Sequence, residues 1–156
     1  MKYFTMDNWI GSQHDNFDES ESDRLRQAYW DYWDGIKAHV PPRLKEFYES
    51  YTTHDGVLQW FEIKEERMTV HLSVARIESM EEEWIFDDLS LQYDDLLSFE
   101  SISNRTPGFN ESLYGDLGYD EIEKLSDCIE HRWLFSTGIE FRIRFRDFDF
   151  QMAPIT

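Results

Sequence analysis

The sequence predicts an α+β fold: two N-terminal helices packed on a curved, mostly antiparallel sheet of five to seven strands, partly barrel-like. Apolar residues recur at helical spacing between Asp23 and Tyr51. They then alternate with a period of two from Val57 to Val74, and an aromatic hairpin closes the chain from Ile129 to Phe150. The 156 residues suit one domain spanning 1–156. A chain of this size buries roughly 70% of its extended surface on folding, enough for a core without disulfide or metal staples.

The stretch GSQHDNFDESES, residues 11–22, is polar and acidic and reads as a flexible segment, while Tyr3, Phe4, Trp9 and Ile10 before it suit a short strand. From Asp23, Leu25, Ala28, Tyr29, Tyr32, Trp33, Ile36 and Val40 share one helical face, with Ser22 as N-cap and Pro41-Pro42 as the stop. Leu44, Phe47, Tyr48 and Tyr51 mark a second, shorter helix. These aromatic residues are read as core.

After a turn at His54-Asp55-Gly56, Val57, Gln59, Phe61 and Ile63 alternate with Leu58, Trp60 and Glu62. Met68, Val70, Leu72 and Val74 then alternate with Thr69, His71, Ser73 and Ala75, giving a hairpin with one apolar face. Further strands fit Trp84 to Phe86, Leu89 to Tyr93 and Leu96 to Ile102, with Asp87-Asp88 and Asp94-Asp95 at turns or bulges. Ser103 to Gly118 reads as a loop and Tyr119 to Leu125 as one helical turn or two. In the last hairpin, turned at Ser136-Thr137-Gly138, a phase shift at Asp147 predicts a bulge or the end of a ladder.

Thirty-three acidic residues against fifteen Lys and Arg leave a formal charge of -18. That field repels nucleic acid and anionic membranes, so neither is expected as a partner, and any charged partner is expected to be basic. Cys128 is the sole cysteine, no run is long enough to cross a bilayer, and the opening MKYFTMDNWIGSQ has no apolar signal stretch, so the expected location is cytoplasmic.

Arg142, Arg144 and Arg146 alternate along one strand and so share a face. They form either an anion-binding stripe or the cationic half of a set of surface ion pairs. No HExxH, EF-hand, Cys-His, GxSxG, P-loop or GxGxxG pattern occurs, and no metal or cofactor is expected. Cys128, preceded by Asp127 and followed by Ile129 and Glu130, suits a buried strand thiol. An enzyme reading, metal-dependent or acid-base, draws on His54, Asp55, His71 or His131 around a pocket near the 103–118 loop, and acid-base work requires two of these groups to converge. A structural or regulatory homo-oligomer is the third reading.

The segments LGYDEIE (Leu117 to Glu123) and EHRWLFSTGIEFRIRFRDFDF (Glu130 to Phe150), with the opening MKYFT, resemble small bacterial domain proteins of uncharacterised activity. In size and acidity the chain is similar to bacterial toxin-immunity proteins. That resemblance implies a noncatalytic inhibitor of a basic protein. The acids Glu19 to Asp23, Glu81, Glu82, Glu83, Asp94 and Asp95 would meet that partner's cations, and Trp30 or Trp60 would supply short-range contact.

Overall fold

The computed structural model describes residues 1–12, 19–77, 85–103 and 113–153. Helix α1 spans Met6–Ser12, so the strand expected around Trp9 and Ile10 is a helix instead. Helix α2, Glu19–Ile36, begins inside the stretch expected to be flexible, with Glu19 and Glu21 in its first turn where the helix dipole favours acids. A 3-10 turn over Lys37–His39 leads to Pro41, and Pro42 opens helix α3, Pro42–Ser50, at a position where its missing N–H costs nothing.

Eight strands follow: β1 Tyr51–Lys64, β2 Arg67–Arg76, β3 Phe86–Asp94, β4 Ser98–Ser103, β5 Asp116–Lys124, β6 Ile129–Phe135, β7 Ile139–Phe145 and β8 Asp147–Met152. They form one antiparallel sheet in the order β4-β7-β6-β5-β1-β2-β3-β8. Two expectations are corrected. The sheet has eight strands rather than five to seven, because Asp116 to Lys124 is a strand and not loop plus helix. It is also open rather than partly barrel-like, since β4 and β8 end the order and share no ladder. The reason lies in the last arm of the chain. It breaks at Arg146, so that β7 joins β6 and β4 while β8 pairs with β3.

The helices bury the predicted stripe. Tyr29, Trp33, Leu44, Phe47 and Tyr48 join Val70, Leu72, Leu91, Trp133, Phe141 and Ile143 in one core. Phe47 lies 5.7 Å from Phe148 and 5.6 Å from Phe150, fixing α3 against β8. Aromatic side chains from strands that are not neighbours also meet: Phe61 is 5.4 Å from Phe141, and Tyr93 is 4.9 Å from Phe145.

The shortest ladder of the sheet lies between β1 and β5. Strands β1 and β5 pair only at Gly56 with Leu117 and Val57 with Asp116. Beyond that point they part, and β5, still paired with β6 on its other side, has no strand along this edge. Its exposed amides find side chains instead: Ile122 N–H donates to the Tyr29 hydroxyl at 2.8 Å, and Lys124 N–H to the Tyr32 hydroxyl at 3.0 Å. Tyr29 and Tyr32 stand one turn apart on α2, so a helix satisfies the groups a strand would otherwise pair. Among the described residues no helix is long and apolar enough to cross a membrane.

Candidate functional site

Where β1 and β5 part, an aromatic cleft of about 380 Å³ opens. One wall is a ring stack in which Phe4 lies 5.0 Å from Tyr119 and Tyr119 lies 5.8 Å from His54. The other comes from the helices, where Trp30 sits 5.6 Å from Tyr29 and 6.1 Å from Tyr48.

Two bulges build the floor. In β1 the register jumps from Thr52 opposite Ala75 to Val57 opposite Ser73, so residues 53–56 swing out of the ladder. Asp55 takes a left-handed φ of 61° there, and a Cβ on Gly56 would lie 2.7 Å from the Thr53 carbonyl oxygen. Only glycine fits that approach. In β5 the pairing skips Gly118, between Leu117 opposite Phe135 and Tyr119 opposite Leu134. Bulges re-aim side chains, and these two bring Thr53 and Asp120 together, with the Thr53 hydroxyl donating to Asp120 Oδ1 at 2.6 Å.

Behind Asp120 lies His131, fully buried, its Nε2 2.8 Å from Asp120 Oδ2 and its Nδ1 2.9 Å from the Tyr93 hydroxyl. The Trp133 indole N–H also points at Nε2, from 2.9 Å. Indole only donates, so Nε2 either accepts from Trp133 or donates to Asp120, and the tautomer decides which. With both ring nitrogens occupied by the protein, His131 acts as a support for Asp120.

Asp120 itself is the exception at this site. Its side chain is only 12% exposed, yet among the described residues it meets a hydroxyl and an imidazole and no lysine or arginine. Burial, and after it the negative charge of Asp120, raise the Tyr48 and Tyr93 hydroxyls above the ordinary tyrosine value, and Tyr29 likewise. All three stay neutral. Tyr29 and Tyr48 share a hydrogen bond of 2.6 Å.

The residues singled out from the sequence are scattered. Trp30 stands at the cleft, 43% exposed. Trp60 is also exposed but lies elsewhere on β1, stacked 3.8 Å from His71. Asp94 is paired with Arg67, and Asp95 adopts a φ of 49° at the bend after β3; both border an open acidic depression with Glu62, Glu65 and Glu66 at the other end of β1. Glu81, Glu82 and Glu83 lie outside the described residues. In the arginine row, Arg144 binds Glu130 at 2.5 Å, Arg146 lies 3.5 Å from Asp127, and Arg142 is 3.9 Å from Glu140 with its Nε buried and unbonded. Glu130 also binds Arg132. Burial pushes the Glu130 carboxyl upward, but the hydrogen bonds from Arg144 and Arg132 outweigh it and hold the group below its ordinary value.

Of the groups considered for proton transfer, His54 lines the cleft, His131 is buried behind Asp120, and His71 lies elsewhere under Trp60. The His54 Nδ1 lies 2.5 Å from the Gly118 carbonyl oxygen, and its ring is 3.9 Å from Asp55. Cys128 is buried, and burial followed by the charge of Asp127 raises its thiol. Among the described residues no three His, Cys, Asp or Glu side chains are placed to hold a metal ion.

Asp120, Thr53 and Tyr93 were not apparent as site residues from the sequence. The Gly118 bulge puts Leu117 and Ile122, an odd step apart, both into the core, and this breaks the alternation that would have revealed a strand. No family model matches the chain, and no curated protein or solved structure matches it either.

Proposed function

We propose that this chain is a noncatalytic protein-interaction domain that binds a basic protein partner, in the manner of an immunity-type inhibitor, with the aromatic cleft as its recognition site. The observation that carries the reading is Asp120: a nearly buried carboxylate lining a cleft walled by aromatic rings, whose partners among the described residues are a hydroxyl and an imidazole and no lysine or arginine. The formal charge of -18 adds a long-range field that draws cations toward it. Trp30 at the cleft supplies a large, stiff contact surface of the kind that dominates interface energetics.

Tryptophan fluorescence titration at about 0.15 M salt, where surface charges are screened beyond roughly 8 Å, tests the reading. A peptide of mixed Lys and Arg is expected to bind, an Asp/Glu peptide of equal length is expected not to, and Trp30→Ala is expected to weaken the basic complex. Equal binding of both peptides, or of neither, defeats it.

A further inference from the structure

We propose that the cleft is a socket for one arginine side chain of that basic partner, with the guanidinium seated on Asp120. The inference rests on the interaction reading above and deepens it by naming the group recognised.

The other buried acids show what Asp120 lacks. Asp87 is bound by Arg76, Glu130 by Arg132 and Arg144, and Glu121 by a row of backbone amides with Arg132 at 3.7 Å. Every buried carboxylate among the described residues thus has a guanidinium beside it, because a desolvated charge without a counter-charge is costly. Asp120 is nearly as enclosed and has none. Arg26 reaches the cleft from α2, but its guanidinium is held by Asp23 at 3.1 Å, one turn away.

The remaining capacity of Asp120 matches a guanidinium. A carboxylate offers about four acceptor positions. Thr53 takes one on Oδ1 and His131 faces one on Oδ2, leaving one position on each oxygen. A guanidinium presents two parallel N–H groups and fills both, whereas an ammonium is a single point charge. Guanidinium planes also stack on aromatic faces and are more weakly hydrated than ammonium, and this cleft is walled by Trp30, Tyr48 and Tyr119. A volume of about 380 Å³ sits at the small end of ligand sites and suits a side chain better than a large cofactor.

The test compares two peptides of equal length and charge, one carrying only lysines and the other with its central lysine replaced by arginine, by calorimetric titration. The arginine peptide is expected to bind about tenfold more tightly, and Asp120→Asn is expected to erase that difference. Trp30→Ala, at an exposed position, repeats the test should Asp120→Asn fail to fold, and it is expected to shrink the same preference. Equal binding of both peptides, unaffected by Asp120→Asn, overturns the socket while leaving the basic-partner reading intact. Binding of neither peptide overturns that reading and the socket with it. N-acetyl-arginine amide provides the last arm: binding as tight as that of the arginine peptide would assign the cleft to a small free guanidine and overturn the protein-partner socket.

Discussion

Asp120 and Glu121 are neighbours on β5, and their side chains leave opposite sides of the strand. Glu121, 2% exposed, is consumed by its own chain. Its carboxylate accepts the backbone amides of Lys2 at 2.7 Å, Tyr3 at 2.6 Å and Phe4 at 2.6 Å, and so pins the N-terminal residues to the sheet. Asp120 receives a hydroxyl and an imidazole and keeps acceptor capacity directed at an open cleft. The same charge is structural on one side of the strand and available on the other. The difference lies in what each side of the sheet brings to it: arginines and amides on one, aromatic rings on the other.

Substitutions test that contrast. The largest effect is expected at Glu130, on the arginine side, where removing the buried carboxylate takes Arg144's hydrogen-bond partner and one of the three carboxylates around Arg132. Glu130→Ala is expected to cost about 3–5 kcal/mol in urea unfolding. The same group predicts the direction of pH dependence. Glu130 and Asp87 are both held below their ordinary values in the fold, Asp87 chiefly by the Arg76 hydrogen bond. Their contribution is therefore complete above the unfolded carboxylate value near about 4 and is lost as pH falls through the lower folded values. Urea midpoints measured from pH 7 down to pH 3 should fall, and Glu130→Gln should flatten the fall.

Next comes Gly56→Ala, which drives a methyl into the Thr53 carbonyl and disturbs the β1–β5 junction. The expected loss is about 1–3 kcal/mol, read by the same unfolding curves, together with weakened ligand binding at the cleft. Tyr29→Phe leaves the Ile122 amide without its acceptor and is expected to cost about 1–2 kcal/mol. The smallest effect belongs to Asp120→Asn, expected within about 1 kcal/mol of the parent, since Thr53 keeps an acceptor and a nearly buried carboxylate with no lysine or arginine beside it is removed. A loss at Asp120 as large as that at Glu130 would erase the contrast and make both carboxylates structural.

How legible these features were follows from the physics of each element. The stripe from Leu25 to Ile36 and the alternation from Met68 to Val74 are local periodicities, and both appear in the structure as read. The start of β1 and the whole of β5 were hidden because the bulges at residues 53–56 and at Gly118 break the period on which strand reading depends. The open order of the sheet was hidden for another reason. Which partners take β7 and β8 is decided by pairings far apart in sequence, and no short window records them. Trp30 was legible because it sits beside the buried stripe, whereas Asp120 acquires its meaning only from Thr53 and His131, which reach it from other strands.

The two phenol groups that stand in for a missing strand have a consequence for self-association. A sheet edge sealed by another strand is protected by a whole ladder, whereas the far half of β5 is sealed by single hydroxyls from Tyr29 and Tyr32. Whatever lifts α2 uncovers amides that can recruit a strand from a second molecule, the usual first step of edge-to-edge aggregation. On heating, clumping of this protein is therefore expected to begin with detachment of a helix, while the sheet beneath it is still intact.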